Sequence, residues 1–367
     1  MHLTNLRGGE MFKDQHKETL QQYENFWERK NDRCILNLTY TKEGAVAFPA
    51  PQSLQQQWLD ENYLLNRFQH NVKQTGYVAE GISHLFTNFG PGCLSACIGG
   101  GYELAPRTVW FDREQFVKDW SNPPTLQFDE NSEMWQHVLR LQNHFQSDPN
   151  VMFSITDLGG IMDIVASLRT TEELLYDLYD YPEEVKVFAK QVKELWFKAF
   201  DKQVETIRKT GLPYNNWMNI PSEKPWYPLQ CDFCYMLSPA HFEEFVLDDL
   251  VDQVNHMERS IYHLDGIGEL PHLDRLLDIP NLTGIQWVAG DGQAPLIEVS
   301  WLDLYKRIKD KKKNLVLMVK DTLTEKDMPK LEKFIKSVDP VGTYISSHCA
   351  SQKVAEDILE NVIKWTK

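Results

Sequence analysis

The feature that most constrains the fold is a long run of alternation. From about residue 77 onward, short stretches rich in β-branched and aromatic residues are separated by segments of helical periodicity. The strand candidates are YVAEGISHLF (77–86), VMFSITDL (151–158), NNWMNI (215–220), SIYHLD (260–265), TGIQWV (283–288), NLVLMVK (314–320) and TYISSH (343–348). Helical patterns lie between most of them, notably Thr171–Thr210, Pro239–Arg259 and Lys353–Lys367. Strands that alternate with helices pair in parallel. With no glycine-rich dinucleotide fingerprint, a series this long points to an α/β fold of the closed (β/α)8 TIM-barrel type. Residues 1–75 read as an N-terminal helical extension packed on a barrel spanning 76–367, the whole forming one structural domain. In the extension, Met11, Leu20, Tyr23, Phe26 and Trp27 fall at helical spacing between Glu10 and Arg29, and CILNLTYT reads as extended.

Composition narrows the partners. The net charge of −15 excludes the clustered basic surface that a nucleic-acid groove or an anionic membrane would need. No signal-like or membrane-length apolar run is found, so a cytoplasmic location is expected. Six cysteines in 367 residues are too sparse for a disulfide framework.

In a barrel the chemistry sits at the C-terminal ends of the strands. His263 and Asp265, at a spacing of two before Gly266 and Gly268, share one face of such an end. With Cys349 they offer imidazole, carboxylate and thiolate, ligand types that zinc accepts, in a set of three that leaves a position open. His348 should face away from Cys349. Asp157, before Gly159 and Gly160, and Asp232, inside Cys231-x-x-Cys234, are candidate acid/base groups. Without a second C-x-x-C, the cysteine pair itself does not read as a zinc ribbon or a redox motif. Ser238, Pro239, Glu243 and Glu244 read as an ordinary helix start. Among the tryptophans near strand ends (Trp110, Trp217, Trp226, Trp287), Trp287 and Trp217, with Gln286, are the expected substrate contacts. The glycine-rich stretch FGPGCLSACIGGGYELAP reads as a lid, because the phosphate-cradling lysine spacing is missing.

QCDFCYMLSPAHFEEFV, YHLDG, IPNLTGIQWVAGDGQ and SSHCAS together resemble the uroporphyrinogen decarboxylase superfamily, which includes methyltransferases acting between corrinoid proteins and thiols. The likeness is carried from about Leu229 onward. It implies a (β/α)8 barrel, small-molecule methyl transfer, a zinc site and, in many members, a homodimer. The arginine-rich motif of true decarboxylases is missing from FWERKNDRCILNLTY, so heme-pathway decarboxylation is not expected. The family's zinc site takes a His-x-Cys and a later Cys. Here His263 and Cys349 match, and Asp265 replaces the first thiolate. A carboxylate there hardens the site and favours oxygen-bearing ligands. The corrinoid signature Asp-x-His-x-x-Gly fails at Thr19 in the Asp14-Gln15-His16 segment, so any corrinoid would come on a separate protein. Two other readings remain. One is a lyase or hydrolase working through Asp157, Asp232 and Asp265 with or without a metal, perhaps on a glycoside. The other is a non-catalytic ligand-binding barrel.

Overall fold

The computed structural model describes residues 8–111, 115–146, 148 and 151–367, with side chains from Phe12 onward; the side chain of Met11, placed above in the leader helix, lies outside the described residues. The central sheet has seven strands in the order β2-β1-β9-β8-β7-β6-β5. They are β1 (Ile35–Thr41), β2 (Thr75–Ala79), β5 (Trp226–Leu229), β6 (Arg259–Asp265), β7 (Gly284–Val288), β8 (Asn314–Met318) and β9 (Thr343–Cys349). All neighbours are parallel except β1 and β2. A small hairpin of β3 (Glu103–Leu104) and β4 (Val109–Trp110) stands apart. Thus β1, within the stretch expected to be a helical extension, is an inner strand of the sheet.

Two expected strands appear only in part. Segment 77–86 pairs antiparallel with β1 as far as Ala79, and Leu85 then bridges Phe153 in parallel. Side chains supply hydrogen bonds that a neighbouring strand would otherwise provide to 151–158: Thr156 N–H donates to Gln203 Oε1 (2.8 Å) and Leu158 N–H to the Tyr227 hydroxyl (2.6 Å). No closed ladder forms there among the described residues. Segment 215–220 is a turn, tied by Asn216 Oδ1 accepting from Met218 N–H, with only Tyr214 and Ser222 bridged beside it.

The leader helix Lys17–Trp27 buries Tyr23, Phe26 and Trp27 against the strand starts. Glu24 pairs with Arg259, the first residue of β6, through contacts of 2.6 and 2.8 Å, and Asn314, the first of β8, donates to Phe26 O. The strand C-termini, where the sequence places the chemistry, lie at the opposite end. The helical pattern 171–210 breaks into Thr171–Asp180 and Pro182–Thr210, because proline disfavours helical geometry at Tyr181 (φ −138°, ψ 48°). From the longer helix, Trp196 Nε1 donates to Gly159 O (2.9 Å), fixing the turn after Asp157. Ser238 caps its helix through His241 N–H, with Pro239 in the first turn.

Replacing Arg259 by alanine leaves the Glu24 carboxylate partly buried without its partner. Denaturant unfolding of Arg259→Ala is expected to show a loss of about 3 kcal/mol. An unchanged midpoint would mean that this pair does not hold the leader helix to the sheet.

Candidate functional site

On β6 the side chains alternate, and His263 and Asp265 emerge on the same side just before Gly266, whose φ of +93° ends the strand. Parallel pairing sets Gln286 of β7 beside His263. Its Oε1 lies 2.5 Å from His263 Nδ1, so the amide carbonyl accepts the Nδ1 proton and leaves the Nε2 lone pair free. Nε2 faces Asp265 Oδ2 at 3.7 Å. Trp217 stands edge-on to the imidazole, with ring centroids 5.1 Å apart.

The third member of the group is Asp232. Ligand atoms of Asp232, His263 and Asp265 all lie within 4.8 Å of one another. Asp232 opens a short 3-10 turn (Asp232–Met236) and is held from behind: Asp163, in the first turn of helix Ile161–Arg169, accepts the N–H groups of Asp232 (3.1 Å) and Phe233 (2.8 Å). Gly160 makes that close approach available, since a Cβ there would fall 2.2 Å from Gln230 O.

Burial raises the carboxyl pKa values around the trio. Asp163 is pushed up to about 7 by burial and the Asp232 charge, against the two N–H groups it accepts. Asp157 is pushed to about 6 by burial, although Tyr227 OH and Gly159 N–H each donate to its Oδ1 at 2.9 Å. Asp232 is itself exposed, and its carboxyl is raised by partial desolvation among its neighbours, with His263 opposing and Asp265 adding to the rise. Burial works against charge on His263, but Asp265, Asp232 and Gln286 together outweigh it and raise its pKa. Asp265 is lowered, chiefly by His263. Behind them Glu269 is fully buried and pushed up to about 11, which keeps it uncharged.

Two recesses open on the trio. The larger, about 470 Å3, is lined by Trp217, His263, Asp265 and Gln286 and by the loop after β7. The smaller, about 280 Å3, lies on the other side of Asp232 and is lined by Asp163, Trp110, Phe111 and Phe233. The two lining sets share no residue, and the trio draws from both.

The other expected site residues are placed differently. Cys349 is fully buried on β9, separated from β6 by two intervening strands, and is not in the trio; burial pushes its thiol up to about 11. His348 projects the other way, as expected, against Thr39 (3.1 Å) and Thr41 (3.2 Å). Trp287 is fully buried against Trp301 (centroids 5.2 Å) and lines neither recess, because one position along β7 reverses the face on which Gln286 sits. Trp217 and Gln286 do line the larger recess. The glycine-rich stretch is not a free lid: Cys93 N–H donates to Asp157 O (3.1 Å), Leu94 and Cys97 are buried, and Gly92 packs so closely that a Cβ on Gly159 would sit 2.6 Å from its Cα. Asp163 was not singled out from the sequence. The signal available was an acid three residues after Gly160, which reads equally well as an ordinary first-turn acid.

No family model and no curated protein matches the chain. Among solved structures it is similar to a methyltransferase from Methanosarcina mazei, with a TM-score of 0.61 and 11% identity over 95% of this chain and 98% of that one. At that identity the shared property is the fold.

The imidazolium–carboxylate attraction between His263 and Asp265 favours the folded state below the usual histidine value of 6.5. It is lost as pH rises through the raised pKa of His263, and on the acid side as pH falls through the lowered pKa of Asp265. In metal-free protein, an NMR titration should place His263 above 6.5, and Asp265→Asn should bring it down. A His263 titration indifferent to that substitution would contradict the pairing.

Proposed function

We propose that the chain is a metal-assisted methyltransferase in which two reactants meet at Asp232, His263 and Asp265. The observation that carries this reading is the arrangement of two separate recesses on one donor trio. A hydrolase needs room for one substrate and water, whereas group transfer needs two approaches to one point. The fold likeness to a methyltransferase and the resemblance in YHLDG and SSHCAS support the same choice. On this reading β1, the segments 82–87 and 151–158, and β5 to β9 act as the staves of a (β/α)8 barrel.

The donor set suits a divalent metal such as zinc: one imidazole with its Nε2 free and two carboxylates, leaving an open position. When bound, such an ion lowers the pKa of a nucleophile at that position. The chain's residues do the rest. Gln286 fixes the His263 tautomer, and Asp163 fixes the backbone that carries Asp232. Trp217 forms one wall of the larger recess. Asp232 here takes the ligand role that the sequence assigned to Cys349.

The family resemblance implies a corrinoid partner, and we assign that cofactor to a separate protein that presents it at the mouth. A rim of exposed apolar side chains suits such docking: Trp110, Tyr235, Met236 and Ile267 are 43–49% exposed. The first two recess-lining members, Trp110 and Met236, belong to the smaller recess, and the Tyr235 ring lies over Gly266 and Gly268 beside Ile267. A metal-free acid/base reaction is the second reading, favoured by the near-neutral Asp157 and Asp163 carboxyls around Asp232.

Purified protein is expected to hold about one zinc per chain, lost in His263→Ala and Asp232→Ala and kept in Cys349→Ser. Gln286→Leu should weaken zinc about 10–100-fold without unfolding the chain. With free methylcobalamin as a probe for the corrinoid partner, isotope-labelled methyl should reach a small nucleophile only in the zinc-loaded protein. Equal turnover without zinc would overturn the metal-assisted mechanism in favour of the acid/base one.

A further inference from the structure

Behind the trio lies a set of polar side chains that the mechanism leaves unused. On β6 the side chains alternate, so Tyr262 points away from the side on which His263 and Asp265 emerge. In the neighbouring turn Cys231 and Cys234 are buried, while Asp232 between them is exposed. The Tyr262 hydroxyl joins the two segments: it lies 3.5 Å from Cys234 Sγ and donates to Glu269 Oε2 at 3.4 Å. From the same 3-10 turn as Glu269 (Ile267–His272), His272 Nε2 donates to the Cys234 carbonyl oxygen at 2.9 Å.

Glu269 is the member of this set that stability alone does not explain. It is fully buried, makes no ion pair among the described residues, and its Oε1 has no hydrogen-bond partner there. A buried carboxyl left half-satisfied costs stability, and an apolar side chain of similar volume would be neutral or better in its place. Its position in the fold supplies a reason for it. The trio draws Asp232 from the turn Asp232–Met236 and His263 and Asp265 from β6, but the ladder between β5 and β6 ends at Leu229 and Tyr262. Backbone pairing therefore does not carry Asp232 to His263. Glu269 spans that gap from behind: it reaches Cys234 through the Tyr262 hydroxyl, and the backbone N–H of Asp265 faces its carboxyl.

We propose that Glu269 is a positioning residue: with Tyr262 and Cys234 it sets the spacing between the Asp232 turn and β6, and thereby the fit of the trio to its metal. The consequence for the metal rests on the metal-assisted reading above; the spacing itself does not. Glu269 acts through hydrogen bonds rather than charge, so a glutamine, with a carbonyl acceptor and an N–H donor in nearly the same shape, meets the same partners. The role also accounts for the Cys231-x-x-Cys234 spacing. One position of the turn faces the metal side, and the Cys234 thiol packs against the reverse of the strand that carries His263. Partners that orient metal ligands from behind in this way are worth about 10–100-fold in metal affinity.

The test compares the wild-type chain with Glu269→Leu, Glu269→Gln and Tyr262→Phe. Crystal structures of the zinc-free proteins give the ligand spacing, denaturant unfolding gives stability, and competition with a chelator gives zinc affinity, with the cobalt(II) absorption spectrum reporting ligand geometry. Glu269→Leu is expected to unfold at the wild-type denaturant concentration or above it. It should nonetheless change the separation of Asp232 from His263 by about 0.5 Å or more, weaken zinc about 10–100-fold and alter the cobalt spectrum. Tyr262→Phe should shift spacing and zinc affinity in the same direction, and Glu269→Gln should keep both at their wild-type values. Unchanged spacing and spectrum in Glu269→Leu, or a loss of zinc that only follows a fall in stability shared by Glu269→Gln, would overturn the positioning role. If Glu269→Leu does not fold, Tyr262→Phe against Glu269→Gln decides by the same readouts. A spacing that responds in a chain whose wild type holds no zinc would uphold the positioning role and overturn the metal-assisted reading. Zinc held by the wild type, with spacing and affinity indifferent to Glu269→Leu and Tyr262→Phe, would do the reverse.

Discussion

The hydrogen bond between His263 and Gln286 is the contact on which the chemistry depends. It exists because β6 and β7 pair in a register that sets these residues side by side. A one-residue slip would turn Gln286 toward the helices and bring Trp287 to the imidazole. In the observed register the amide holds the Nδ1 proton and directs Nε2 toward Asp265 and Asp232. A strand pairing thus becomes the choice of tautomer, and the tautomer decides whether the trio can receive a cation.

Charge is arranged around that point in layers. Asp265 is kept ionised by the imidazole, and the fully buried Glu269 behind it is neutral. Asp232 sits between two recesses, and its backbone is fixed by Asp163 rather than by any strand. The trio is therefore approached from either side, by the two recesses that its members line. The leader helix acts at the far end of the strands, where Glu24 and Arg259 tie it to the start of β6.

How much of this was legible in the sequence depends on whether a residue's role is local. The His263/Asp265 pair, the presence of β6 to β9 with the C-terminal ends of β6 and β7, and the Ser238–Pro239 cap follow from short-range rules and could be read directly. Segments 77–86 and 151–158 look like strands, but the first pairs only as far as Ala79, and in the second Gln203 and Tyr227 take up backbone groups that a ladder would use; no local pattern announces that. Asp163 and Asp232 come together only because a glycine lets the helix Ile161–Arg169 approach residue 230. Trp287 was misassigned as a contact because aromatic character is visible in a sequence, whereas the face it occupies follows from the pairing. Cys349 stands out as a thiolate near a strand end, the third ligand type that zinc accepts beside His263 and Asp265, and the family likeness points to it as well. Its burial on β9 and the nearness of Asp232 to His263 are properties of the folded chain.

X-ray absorption at the zinc edge of the metal-loaded protein addresses the ligand trio most directly. If Asp232, His263 and Asp265 hold the ion, the inner shell contains only nitrogen and oxygen at about 2.0–2.2 Å, with the outer-shell signature of one imidazole. A sulfur scatterer at about 2.3 Å would place Cys349, or another thiolate, on the metal and contradict the assignment of Asp232.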